Sequence, residues 1–197
     1  MSNWCNVRLV VAGLKTAVTK FALEARSHRR RIFTEDMLHG EGADLSTKRT
    51  VQVQANWHHK RYLFQVSGDD GISHFRRLSR HYPGLAFLVV YGDPNSGEAG
   101  SAYLRRGRAK CYVLSGDDFE KFMAMQGMPE DSDDPDYDWK YWDAISAAED
   151  HAEAKLAHLI ARPPRTKLHP VAHQKTAMPR LHPPRQLRAR LHTMKTS

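Results

Sequence analysis

The 197-residue chain carries 30 Lys+Arg against 22 Asp+Glu, a formal charge of +8 at pH 7, with 41% hydrophobic residues and a mean hydropathy of −0.63. That length predicts one domain with extensions, and the hydrophobic content permits a packed core. No apolar run approaches the ~18 residues of a membrane span, the start MSNWCNVRLVV lacks the features of a signal peptide, and two cysteines do not make a disulfide framework, so a cytoplasmic protein without membrane contact is expected.

Trp4–Ala12 alternates, with Cys5, Val7, Leu9 and Val11 on one face and Asn6 and Arg8 on the other, which predicts a strand that Gly13 ends. Leu14, Ala17, Val18, Phe21 and Ala25 follow helical spacing to about Arg26. The basic knot His28-Arg29-Arg30-Arg31 comes next, either a solvated helix end that complements the dipole or a phosphate contact. Residues 32–50 read as a loop. Val51–Trp57 and Tyr62–Val66 alternate as two strands of a hairpin, with the turn placed at His58-His59-Lys60.

Asp69 and Asp70 are expected to cap the next helix, residues 72–81, where Phe75, Leu78 and Tyr82 recur. Pro83-Gly84 stops it. Leu85–Tyr91 is apolar at every position, the pattern of a strand covered on both faces. The turn residues Gly92–Gly97 and the strands 101–105 and 108–114 follow, after a strand, a helix, a two-strand hairpin, a helix and a strand. This order predicts an α+β, ferredoxin-like split βαβ: an antiparallel sheet with two helices on one face and the other face open to a partner. Cys5 and Cys111 both fall in apolar strand patterns and read as two buried thiols.

Residues 117–125 and about 139–161 then predict two helices, the second with a thin apolar stripe that is expected to pack on the domain rather than bind a cofactor. The last 36 residues hold 6 Pro, 4 His, 9 Lys+Arg and no aromatic, a composition too poor in apolar surface to fold. The expected organisation is therefore 1–115 as the folded domain, 116–161 as an acidic helical extension and 162–197 as a disordered basic tail. Charge follows the same divisions. Residues 1–116 have 18 Lys+Arg and 9 Asp+Glu, residues 117–153 have 2 and 13, and the tail has 9 and none.

The opening Asn3-Trp4-Cys5 resembles the Asn-Trp-Cys start of the YubB-type ferredoxin-like family of plasmid and phage proteins. The segment Leu78-Ser79-Arg80-His81-Tyr82-Pro83-Gly84-Leu85-Ala86-Phe87, followed by Tyr91 and the Gly97/Gly100 turn, is similar to that family's helix-end, Tyr/Phe-Pro and strand pattern. The chain departs at Val66–Asp70, where the family has a Trp-Ser-Pro-Pro-like segment. The resemblance covers roughly residues 1–115. It implies the ferredoxin-like fold and a bacterial mobile-element setting, and it carries no catalytic residues.

No phosphate loop, GxGxxG, HExxH, CxxC or nucleophile elbow is present in the sequence. The twelve histidines lack ligand spacing, and the acidic run 130–138 lacks the glycine and glutamate of a calcium loop. No enzyme activity, cofactor or metal is expected. The leading expectation is a nucleic-acid-binding module. Its basic surface would comprise Arg29, Arg30, Arg31, Lys60, Arg61, Arg76, Arg77, Arg105, Arg106 and Arg108, with Arg80 and Lys110 beside them and Arg185, Arg188 and Arg190 in the tail. Tyr62, Phe64 or Tyr112 would stack bases if the outer sheet face is open, and the acidic stretch 130–138 would mask the basic body. The alternative is a protein-interaction or inhibitory module using the open sheet face or the acidic helix.

Overall fold

Alternation along Trp4–Leu14 (β1) puts Cys5, Val7, Leu9 and Val11 into one buried cluster and Val10 and Ala12 into another. A strand buried on both sides must lie inside a sheet covered on both sides. β1 pairs antiparallel with β3 (Trp57–Ser67) over its whole length, from Trp4↔Ser67 to Leu14↔Trp57. On its other edge it pairs antiparallel with β4 (Leu85–Asp93), from Asn6↔Gly92 to Gly13↔Leu85. With β2 (Val51–Gln54), β5 (Glu98–Arg105) and β6 (Arg108–Ser115), the order is β2-β3-β1-β4-β5-β6, antiparallel throughout. The computed structural model describes residues 4–26, 32–33, 51–54, 57–67, 71–128, 136–161 and 163, within a compact unit Met1–Pro164.

Helices α1 (Lys15–Arg26) and α2 (Ile72–His81) cover one face. Phe21 of α1 and Phe75 of α2 enter the same cluster as Tyr62, Phe64 and Phe87, with Phe21 and Phe87 edge to face at 5.6 Å. The chain is thus α+β, with an antiparallel sheet and both helices on the expected face. The returning strands β5 and β6 join the same sheet beyond β4.

The second face is not open. Helix α4 (Tyr137–Ile160) lies across it and buries Ala144, Ile145, Ala148, Ala152, Leu156 and Ile160. Three alanines in that stripe let the helix backbone approach the sheet closely enough for the buried Ser101 Oγ to donate to Ala152 O at 2.6 Å. Near the helix start, Tyr141 OH donates to Pro94 O at 2.6 Å. At its end the Ile160 carbonyl, which has no partner within the helix, accepts from Trp57 Nε1 at 2.9 Å and from the His59 ring at 3.0 Å. Helix α3 (Asp117–Met125) carries Asp117, Asp118 and Glu120 in its first turn, where the dipole favours them. It packs Phe119 and Met123 against Ile145 and Leu114. The two described helices of the segment set apart by its charge are therefore packed on the folded domain.

Three local expectations change. His58, His59 and Lys60 are strand, not turn, because their pairing with β1 and the bond from His59 to Ile160 hold them extended. Gly13 sits inside β1 opposite Leu85 and does not end the strand. Helix α2 begins after Gly71, and the expected caps Asp69 and Asp70 lie outside the described residues. Cys111 is exposed because neither α1 nor α2 reaches β6, whereas Cys5 is buried. The tail, Arg29–Arg31 and residues 129–135 also lie outside the described residues.

Candidate functional site

The β5–β6 turn, Arg106-Gly107, is ringed by five of the described cations. Gly107 has φ 77°, a left-handed conformation natural to glycine, and the Arg80 side chain occupies the space a Cβ would need. The turn is held to α2 by two bonds: Arg76 Nε donates to Gly107 O at 2.9 Å, and Gly107 N donates to Ser79 Oγ at 2.8 Å. Ser79 is fully buried and in turn donates to Arg76 O at 2.8 Å. Arg106 Nε reaches Pro83 O at 3.4 Å. Arg76, Arg80, Arg105, Arg106 and Arg108 therefore surround one hairpin end, although the two groups lie far apart in sequence.

Strand register then places part of this set in a groove. Tyr103 faces Lys110 and Arg105 faces Arg108 across the β5–β6 pair. All four side chains stand on the α4 side, where Tyr103 packs against the cluster containing Leu156 and Ile160. Together with Arg106, Ala109 and Leu159 they line a cavity of about 640 Å³. Among the described residues the lining contains four cations, one aromatic ring and no acidic side chain. Arg105 Nε is buried there without a hydrogen-bond partner, a donor that costs about 1–3 kcal/mol while unsatisfied.

The described residues Lys60, Arg61 and Arg77 do not line this groove. Lys60 and Arg61 are neighbours on β3 and so point to opposite faces. Lys60 is 7% exposed with its Nζ 5.9 Å from the Tyr62 ring, and burial first, then Arg26, holds its ammonium below the usual lysine range. Arg61 donates to Glu153 Oε1 at 2.9 Å. Arg77 is exposed on α2. Arg29, Arg30, Arg31, Arg185, Arg188 and Arg190 lie outside the described residues.

The structure also corrects which aromatic rings can meet a ligand. Tyr62 and Phe64 are 1% and 3% exposed beneath α1 and α2, so neither can stack on a ligand. Burial also pushes the Tyr62 phenol above its usual range and leaves its hydroxyl without a partner. Tyr112 has the Lys155 ammonium 5.4 Å from its ring centre and His151 beside it at 6.0 Å. The ring at the groove is instead Tyr103, which nothing in the local pattern of β5 distinguishes. Its register opposite Lys110 is the missing signal, and a cross-strand pairing of the two hairpin arms from the Arg-Gly turn would have found it.

A second polar cluster lies between α4 and β1. Arg8 Nη1 meets Asp150 at 2.7 Å and Glu153 at 3.4 Å, and Nη2 meets Glu149 at 3.4 Å. Glu149 rests against Gly92, where any larger residue would collide with its carboxylate. Burial drives the Glu149 carboxyl up to about 7; Arg8 opposes that, while Asp150 and Glu153 add to it. The adjoining cavity of about 430 Å³ also holds Asn6, Gln65 and Ser146, with Gln65 Nε2 donating to Asn6 Oδ1 at 3.0 Å. This cluster joins helix to sheet. Between α4 and the sheet, the acidic groups that neutralise basic ones are thus Glu149, Asp150 and Glu153, acting on Arg8 and Arg61.

Among the described residues no three His, Cys, Asp or Glu side chains converge on a metal position, and no helix is long and apolar enough to cross a membrane. No protein-family model, curated protein or solved structure matches the chain.

Proposed function

We propose that this protein is a non-enzymatic nucleic-acid-binding module that engages phosphates through the β5–β6 hairpin. The observation that carries this reading is the convergence of Arg105, Arg106, Arg108 and Lys110 on one groove with no acid among its described lining residues. Elsewhere on the same sheet face the described cations Arg8 and Arg61 are neutralised by α4, so positive potential is focused at the hairpin. Phosphate binding at such a cluster is driven by release of condensed counterions. The tail, with 9 Lys+Arg and no acid, adds sequence-independent attraction of the same kind. In this reading the β2-β3-β1-β4 portion is a ferredoxin-like split βαβ to which the binding hairpin has been added. The resemblance at Asn3-Trp4-Cys5 and Tyr82-Pro83-Gly84 extends the reading to an accessory protein of a bacterial plasmid or phage, working in the cytoplasm.

A salt titration of the full-length protein on one duplex and one single strand tests this. Replacing Arg105, Arg108 and Lys110 together by Gln should flatten the dependence of log K on log salt. Every phosphate that the variant no longer neutralises takes about 0.9 from the slope on duplex and about 0.7 on single strand. A triple variant with the parent's affinity and slope would refute the assignment. A protein-interaction reading has one observation in its favour: Trp139 and Trp142 are 56% and 50% exposed on the acidic helix α4. Loss of a co-purifying protein on Trp139→Ala and Trp142→Ala, with nucleic-acid binding absent from the parent, would favour that alternative.

A further inference from the structure

We propose that the groove is built for unpaired strands, with Tyr103 as a stacking platform for a single base and Arg105, Arg108 and Lys110 as its phosphate contacts. This rests on the nucleic-acid reading above and adds which form of nucleic acid is bound. Tyr103 lines the groove from β5, one strand in from the sheet edge, with the Lys110 cation directly across the pair and Arg105 and Arg108 one step along. Residues two apart on a strand stand ~6.8 Å apart on one face, so Arg108 and Lys110 form a short row of cations beside the ring.

Leu159 of α4 contributes an apolar side to the groove. The geometry is concave. A duplex presents phosphates on a convex cylinder and keeps its base faces inside the stack, so its rings stay out of reach of Tyr103. An unpaired strand can turn a base into the groove, lay it on the phenol and leave its flanking phosphates to the cations, as aromatic platforms in basic grooves do. The volume of about 640 Å³ falls within the ~300–1,000 Å³ typical of sites that enclose a compact ligand.

Two further observations agree. The next aromatic in the row, Tyr112, is already covered by Lys155, so one ring remains as platform. Arg105, whose Nε is buried without a hydrogen-bond partner, belongs to the same lining and brings its guanidinium charge to the groove.

The test is fluorescence anisotropy of the full-length protein at low salt. The probes are labelled oligo-dT, oligo-rU and a duplex of equal length, with inorganic polyphosphate as competitor. Single strands should bind at least tenfold more tightly than the duplex, and the dT and rU arms separate DNA from RNA preference. Tyr103→Leu, which keeps an apolar side chain against the helix, should weaken single-strand binding about 5- to 150-fold, the range expected for one stacked base. It should leave competition by polyphosphate and the salt slope unchanged, and Tyr103→Phe should bind like the parent. A duplex bound as tightly as single strands, or a Tyr103→Leu variant that binds them normally, overturns the platform while leaving the charge reading intact. If no probe binds at all, both readings fall together. A thermal melt of each variant confirms that the fold is retained.

Discussion

Glu149→Gln should stabilise this protein at alkaline pH and leave it unchanged in acid. The carboxyl is buried between α4 and the sheet, its side chain 12% exposed. It faces Arg8 of β1 and has Asp150 and Glu153 beside it on its own helix, with Arg61 of β3 bound to Glu153. Burial raises its pKa from 4.5 to about 7, and Arg8 recovers only part of that shift. Below pH 4.5 the group is protonated in both folded and unfolded chains, so its favourable contribution is fully present. Between 4.5 and 7 the unfolded chain releases a proton that the folded chain keeps, and stability falls as pH rises. Above 7 both are ionised and the contribution has gone. At ~1.36 kcal/mol per pH unit the linkage amounts to about 3 kcal/mol, and relaxation of the side chain toward water trims it to about 2–3. Glutamine mimics the protonated form and removes the titration. At pH 8 the variant should therefore melt roughly 5–10 °C above the parent, at 2–4 °C per kcal/mol for a chain of this size. At pH 5 the two should lie much closer. His59, held below its usual value mainly by burial, pulls the other way as pH falls. For that reason the difference between the two melts is the quantity to follow. A difference constant across pH 5–8 would show that Glu149 ionises normally and that the cluster is open to water.

Phe87 is fully buried and meets Phe21 edge to face, so Phe87→Ala should cost about 3–5 kcal/mol, read as a lowered midpoint in urea with an unchanged slope. An unshifted midpoint would remove Phe87 from the core. Cys5 on β1 and Cys111 on β6 are separated by two strands, about 14 Å at ~4.8 Å per strand, beyond the reach of a disulfide. Stability should be indifferent to reductant, and a maleimide should label Cys111 in the native protein and Cys5 only after unfolding. Rapid labelling of both would show that the α1–α2 face is not closed over Cys5.

Much of this fold was legible in the chain because its signals are local. Alternation at Cys5–Val11, the unbroken apolar run Leu85–Tyr91 and the 3.6-residue stripe of α1 each depend on neighbours a few residues away. The clustering of Arg105, Arg106 and Arg108 was legible for the same reason. The tertiary structure alone decided what those elements meet. The sequence of α4 shows a thin apolar stripe and many acids, which suits an exposed extension as well as a packed helix. Only the approach of Ala144, Ala148 and Ala152 to the sheet, and the bond from Ser101 to Ala152, close the second face. That closure overturned the expected open surface and left Tyr103, at its rim, as the aromatic within reach of solvent and cations. Tyr62 and Phe64 carry the same chemistry as Tyr103, but strand parity sends them beneath α1 and α2. Side-chain type is written in the residue itself. Which face of the sheet is covered depends on where a helix more than 30 residues further along the chain comes to rest.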